Sequence, residues 1–211
     1  LDLVRWLVSR GHRVSLGHSA ADYEQARDAI AAGASQATHL FNRMRPLGHR
    51  APGLVGAVLE STHVAAEVIC DGHHVHPALV RMAVAVKGVD HILAVTDGTS
   101  LAGRHAPQRG RLGGLAITAG GPTAVLADGT TAGGTSTMDQ VFRMLVGRVG
   151  LSMPAAAAVT AATPARQLGL AGHGVLAVGA VADLVVLDET LAVVETYIAG
   201  RLVYAREATL A

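Results

Sequence analysis

The stretch 13–40, RVSLGHSAADYEQARDAIAAGASQATHL, contains one complete strand–helix–strand unit and decides how the remainder of the chain is read. Residues 13–16 form a short β-rich run that stops at Gly17-His18-Ser19. Ser19 is placed to cap a following helix, with Asp22 three residues on as a carboxylate version of the capping box. Tyr23, Ala26 and Ile30 then recur on one helical face, and Gly33 stands where a C′ glycine belongs. A second strand over 36–40 carries His39. Strands joined through a helix in this way run parallel.

Working outward, the same rhythm repeats. Residues 63–70 are β-rich and end at Asp71-Gly72, with His74 just beyond. A helix follows, with Pro77 in its first turn and Gly88 at its end. Residues 91–96 form the next strand, ending at Asp97-Gly98. Strands alternating with helices of 10 to 15 residues indicate parallel βαβ units and an α/β fold. Two segments break the rhythm. Residues 111–128 read as two short strands around Ala119-Gly120-Gly121-Pro122, a hairpin inserted after the Asp97 strand. From Gly174 onward the pattern is short strands and turns, with apolar runs at 182–187 and 193–204. Between these, helices are expected from Ser136 or Thr137 (with Thr137 and Gln140 as a capping box), from Ser152-Met153-Pro154, and, as a short turn, from Thr163-Pro164.

Composition narrows the function. Half of the 211 residues are apolar but only 3% are aromatic, so the core is built from Ala, Val and Leu, as in α/β layers. The net charge is +1 and the basic residues are scattered, which argues against a nucleic-acid partner, since that needs a basic face. No stretch approaches the ~18 apolar residues that span a bilayer. The opening Leu1-Asp2-Leu3-Val4-Arg5-Trp6 reads as an amphipathic helix rather than a secretory signal, so a soluble, cytoplasmic protein with no membrane partner is expected. One cysteine, Cys70, excludes an internal disulfide and a Cys-based zinc cluster, and its place in an apolar strand makes packing its expected role. Eleven histidines beside one cysteine mean that any bound metal is held by imidazole and carboxylate.

His18, His39, His74 and Asp97 fall at or just after the C-terminal ends of four successive predicted strands. In a (β/α) barrel that rim is where active sites form. Two histidines from adjacent parallel strands can meet at one metal, which lowers the pKa of bound water to roughly 7 and polarises a carbonyl. An Asp from a later strand can then move the proton. Taken singly, a strand-end His is more simply a structural group, and Asp97-Gly98 is good turn chemistry. Four such residues on four consecutive strands point instead to a shared site.

The local motifs are more specific. Gly17-His18-Ser19 before a helix, then Ala37-Thr38-His39-Leu40-Phe41-Asn42-Arg43-Met44, resemble the paired metal-histidine segments of the N-acetylglucosamine-6-phosphate deacetylases. The resemblance continues through Arg50-Ala51-Pro52-Gly53-Leu54-Val55-Gly56 and Asp71-Gly72-His73-His74-Val75-His76-Pro77. It also takes in Val95-Thr96-Asp97-Gly98-Thr99, Thr131-Ala132-Gly133-Gly134 with Thr137-Met138, and Thr163-Pro164-Ala165-Arg166. The segment from Gly179 to Asp188 is similar to a tail common to many amidohydrolases.

The resemblance implies an enzyme that hydrolyses the acetamide of an amino-sugar phosphate. It implies strands five to eight of a (β/α)8 TIM-type barrel over 1–172, carrying the inserted β-hairpin, and the C-terminal strands of a small β-sandwich over 173–211. His18 and His39 become metal ligands, for a divalent metal with zinc the first candidate and iron or manganese the alternatives. Asp97 activates the water and returns the proton to the departing amine. His74 holds the sugar and orients the acetamido group, with His73 beside it. Asn42, the Arg43 backbone amide and Arg50 contact the phosphate, and Arg50 crosses the interface of a homodimer. Thr131, Ala132 and Gly133 form a loop that closes on the substrate. Two departures stand out: Arg43 replaces a small residue, adding a cation, and Gly134 follows Gly133 where a Ser is common, which predicts a looser loop. The first four strands and a carboxylate ligand are implied upstream, so the chain as it stands is expected to be incomplete and inactive alone.

His12, His49, His63, His91, His105 and His173 are read as surface or structural groups, and His76 before Pro77 as an extended or capping residue. Two other readings share part of the pattern. One is a different amidohydrolase, dihydroorotase-like or adenine-deaminase-like, and the other is a non-catalytic degenerate barrel module that binds without turnover.

Overall fold

Four parallel strands lie side by side in chain order: β1 (Ser15–Leu16), β2 (Gln36–Ala37), β3 (Ala65–Ile69) and β4 (Ile92–Val95). The computed structural model describes residues 1–104, 107–119 and 121–207, so His105 and Gly120 fall outside the description. Helix α1 (Asp2–Ser9) leads into β1, α2 (Tyr23–Ala31) joins β1 to β2, α3 (Gly53–Glu60) precedes β3, and α4 (Pro77–Lys87) joins β3 to β4. The βαβ reading of 13–40 is borne out, with two corrections.

The first correction is the start of α2. Asp22, not Ser19, is the N-cap: its carboxylate accepts from the Gln25 N–H at 2.9 Å and its own N–H donates to Gln25 Oε1 at 3.0 Å. Ser19 instead accepts from the Ala21 N–H, closing a small turn before the helix. The second correction is strand length. The ladders of β1 and β2 stop after two residues because His18 (φ 45°) and His39 (φ 32°) turn the chain into the left-handed region. Helix ends follow the local signals closely. Gly33 follows the Ala32 C-cap, Gly88 closes α4, and His76 caps α4 in an extended conformation by accepting from the Ala78 N–H.

The main core lies between the parallel sheet and its helices. Leu40, Leu54, Val58, Val68, Val80, Ile92, Leu145 and Val159 are all buried there. Cys70 is buried with them, and burial pushes its thiol up to about 12, with the Asp71 charge adding to the shift. That supports the packing role. Lys87, also buried, donates to the carbonyls of Val58 and Ser61 and so ties the end of α4 to the end of α3. Burial alone lowers its pKa, to about 8.

The insertion after β4 is larger than a hairpin. Strands β5 (Gln108–Leu112), β6 (Leu115–Ala119), β7 (Thr123–Val125) and β8 (Thr131–Gly134) form a four-stranded antiparallel sheet in chain order. Leu101, Ile117, Ala119 and Ala124 make its own small core. Thr131, Ala132 and Gly133, predicted as a loop, are therefore a strand. Its last residue forms a parallel bridge with Gly98, joining this sheet to the end of β4.

Gly134 is the tightest point of that junction, and the looser loop expected there is overturned. Its N–H donates to the Asp97 carbonyl at 2.7 Å and its carbonyl accepts from the Thr99 N–H at 3.0 Å. A Cβ at Gly134 would sit 2.0 Å from the Thr96 carbonyl oxygen. Gly134→Ala in the full-length protein is therefore expected to cost about 2 kcal/mol or more, the scale of overpacking against backbone that cannot yield. Urea denaturation checks it, and an unchanged midpoint would show that the junction relaxes freely.

Helix α5 (Met138–Met144) begins at Thr137, whose N–H donates to Gln140 Oε1, and it runs on without a break into a π-helical turn over Leu145–Val149. Helix α6 (Met153–Ala157) is capped by Ser152 and continues through a second π-helical turn, Ala158–Ala162, into α7 (Thr163–Gln167). The expected separate turn at Thr163-Pro164 is thus the end of one helical run. Pro164 directly follows the C-cap of the π-helical turn, Thr163, whose N–H reaches back to the Ala158 carbonyl. The last strands, β9 (Leu184–Leu187), β10 (Val193–Ile198) and β11 (Arg201–Ala205), form an antiparallel sheet in the order β11-β10-β9. The apolar run 193–204 is divided into two strands, because Ala199 (φ 49°) and Gly200 (φ 78°) make a tight turn. Val185, Val186, Ile198, Leu202, Val203 and Tyr204 of this sheet are exposed. Among the described residues no helix is long and apolar enough to cross a membrane.

Candidate active site

His18 and His39 are each the second residue beyond a strand end, on neighbouring parallel strands. Gly17 lets the two strand ends come close, since a Cβ there would meet the Thr38 Cβ at 2.8 Å. The two imidazoles face each other with Nε2 atoms 2.8 Å apart and ring centroids 4.7 Å apart. His39 is buried, and its Nδ1 has no hydrogen-bond partner among the described residues. A left-handed backbone at a His is uncommon, and both residues of the pair adopt it.

This arrangement fits a divalent metal. Two imidazole nitrogens face one another across 2.8 Å, and imidazole suits zinc or iron, with manganese favoured by added carboxylate. A catalytic zinc site takes three protein ligands. Among the described residues no third His, Cys, Asp or Glu completes the group. Among the described residues two imidazoles are therefore placed as candidate ligands.

Asp97 is the second residue beyond β4, with φ 48°, and is exposed at the same end of the sheet. Gly133 of β8 lies against it, where a Cβ would sit 3.6 Å from Asp97 Oδ2 and 2.8 Å from its carbonyl oxygen. The residues 131–133 are therefore brought to Asp97, as a strand.

His74 is held by Asp71. Its Nδ1–H donates to Asp71 Oδ2 at 2.6 Å, and Asp71 Oδ1 also accepts from the backbone N–H groups of His73 and His74 at 2.8 and 2.9 Å. The bond to Asp71 raises the pKa of His74 against the opposing effect of burial, and the charge of Asp97 adds to the rise. Burial works to raise Asp71, but the bonds from His74 and the two backbone donors outweigh it and its pKa is lowered. The two shifts agree: the contact favours a carboxylate beside an imidazolium. His73 itself is exposed, its backbone serving the Asp71 turn.

The expected phosphate contacts are only partly assembled. Asn42 is turned back onto the His39 and Leu40 carbonyls, which fixes the loop after β2. Arg43, in the left-handed region at φ 53°, lines an open concavity with His18, Ser19, Ala20, Met44 and Arg45. Arg45 was missed in the sequence, where only the spacing of two arginines two residues apart could have signalled it. Arg50 is exposed, with its guanidinium donating to His49 Nε2 at 2.8 Å. It makes no side-chain hydrogen bond to the other site residues.

Residues 10–203 match the amidohydrolase family. The chain is 39% identical to the N-acetylglucosamine-6-phosphate deacetylase of Lysinibacillus sphaericus over 94% of its own length and 51% of that protein. It is 37% identical to the N-acetylgalactosamine-6-phosphate deacetylase of Escherichia coli O157:H7, covering 96% of this chain and 53% of the relative. Among solved structures, it is similar to a mutant N-acetyl-D-glucosamine-6-phosphate deacetylase from Mycobacterium smegmatis in complex with N-acetyl-D-glucosamine-6-phosphate. That match has a TM-score of 0.90 and 41% identity, over 95% of this chain and 54% of the other. An enamidase, at 14% identity and a TM-score of 0.61, shares the fold. The chain spans about half the length of the curated relatives it matches. With the His18–His39 pair, the rim-placed Asp97 and a family match across nearly its whole length, the chain belongs to the amidohydrolase family.

Proposed function

We propose that the full-length protein containing this chain hydrolyses the acetamide of N-acetylglucosamine 6-phosphate to glucosamine 6-phosphate and acetate. The observation that carries the reading is the convergence of His18 and His39 Nε2 at 2.8 Å, at the strand ends that also bear Asp97 and the Asp71–His74 pair. In this reading the four parallel strands are strands five to eight of a (β/α)8 barrel over 1–172, and 173–211 belong to a small β domain. The enzyme is read as a cytoplasmic homodimer in which Arg50, free of the site within one chain, serves the neighbouring subunit.

A divalent metal, zinc in the first instance, held by His18, His39 and a carboxylate from outside this chain, would polarise the acetamide carbonyl and acidify water. Asp97 takes the proton from the attacking water as its oxygen bonds to the acyl carbon. The same Asp97 gives that proton to the amine nitrogen as the C–N bond breaks, so acetate and a free amine leave. His74 holds the acetamido group through the ring nitrogen not bound to Asp71. Arg43 and Arg45 supply cationic donors for the phosphate, which guanidinium groups recognise strongly.

The phosphate claim is tested by comparing acetate release from N-acetylglucosamine 6-phosphate and from the unphosphorylated sugar. A kcat/KM at least ~10²-fold higher for the phosphate ester is expected, the scale of losing a charge-assisted contact or two. Equal values would remove the claim. A second reading, the galactosamine epimer, is supported by relatives that carry that name. Including N-acetylgalactosamine 6-phosphate in the same assay separates the two.

A further inference from the structure

On each of the four parallel strands the second residue past the strand end carries a polar functional group. These are His18 after Leu16, His39 after Ala37, Asp71 after Ile69 and Asp97 after Val95. The third strand therefore presents Asp71 in the rim register, and His74, three residues on, is bound to it. The Asp71 side chain is fully buried and His74's is 7% exposed. All of the Asp71 contacts run toward its own turn: Oδ1 to the N–H groups of His73 and His74, Oδ2 to His74 Nδ1. His74 Nε2, on the other side of the ring, is buried and has no hydrogen-bond partner among the described residues. A buried nitrogen left unpaired costs stability, so such an atom is retained where a ligand completes it.

We propose that Asp71 is the positioning residue for His74, fixing the ring with Nδ1–H on its carboxylate so that Nε2 alone is presented to the substrate's acetamido group. The inference rests on the deacetylase reading for the identity of the substrate, but not for the state of the pair. The logic is that of a carboxylate that sets the tautomer and orientation of a working histidine. Two backbone bonds fix the carboxylate, and the third, from Nδ1–H, holds the ring on it. Besides Asp71, the charged groups around this turn are Asp97, which acts on His74, and Arg148, whose guanidinium lies against Gly72.

The test uses the full-length, metal-loaded protein with nitrogen-15-labelled histidine, the His74 signals being assigned by their loss in His74→Ala. In the wild type, Nδ1 of His74 is expected to stay protonated through the titration, with a midpoint above the ordinary histidine value of about 6.5. Asp71→Asn keeps the oxygen that accepts the two backbone bonds, so the turn is retained. It should bring the midpoint down and lower kcat/KM on the order of 10²-fold, the cost of a slightly misplaced group. In the His74→Ala background Asp71→Asn should have no further effect on kcat/KM. An Nε2–H neutral tautomer in the wild type, or a full additional loss in the double variant, would overturn the proposal. Should Asp71→Asn fail to fold, the wild-type tautomer still decides. A protein that shows the predicted tautomer but releases no acetate would sink the deacetylase reading and leave the pair standing.

Discussion

Asp97→Asn in the full-length, metal-loaded protein is expected to lower kcat by at least ~10²-fold, the contribution typical of a positioned general base. Asn matches Asp in size, and both tolerate the left-handed backbone that position 97 adopts at φ 48°. The Asp97 carbonyl bond to Gly134 is a backbone contact and survives the change. What disappears is the carboxylate that accepts the proton of water and returns it to the amine. Metal content should stay near that of the wild type, because the proposed ligands are His18 and His39. Steady-state kinetics together with elemental analysis read both quantities. Turnover close to normal would remove Asp97 from the mechanism, and loss of metal would make it a ligand instead.

His18→Ala should show the opposite pattern, with metal occupancy falling and activity falling with it. Losing a partner that merely orients a ligand already costs roughly 10–100-fold in metal affinity, and losing a ligand should cost more. His18 is the cleaner of the two substitutions because it is exposed, whereas His39 is buried and its removal also opens space in the core. Elemental analysis after dialysis against a weak chelator measures the occupancy. Thermal melts taken without metal should coincide for the variant and the stripped wild type, since the metal's contribution is what differs between them. Full metal retention in both His18→Ala and His39→Ala would mean that the facing Nε2 atoms share a proton and not a cation.

Much of the fold was legible because its signals are local. Gly33, Gly88, Pro77 and Ser152 mark helix ends within a turn of the residues they serve. His18, His39 and Asp97 were found because each stands at the C-terminal end of a predicted strand. Ser19 was misread because two capping residues lie three apart, and choosing between them took the Asp22–Gln25 pair of bonds.

The sequence by itself determined the order of strands and helices, the end of the sheet that carries the polar groups, and the residues His18, His39, His74 and Asp97 that occupy it. Tertiary structure alone decided that Thr131–Gly134 is a strand, since its bonds run to 123–125 and to Gly98, far off in the chain. It alone turned Arg50 onto His49, brought Arg45 beside His18, and placed Asp71 rather than His74 in the rim register. The physical reason is range. Helix caps and strand alternation are set by neighbours within a few residues, whereas sheet partners and side-chain directions at a rim depend on which distant segments pack there.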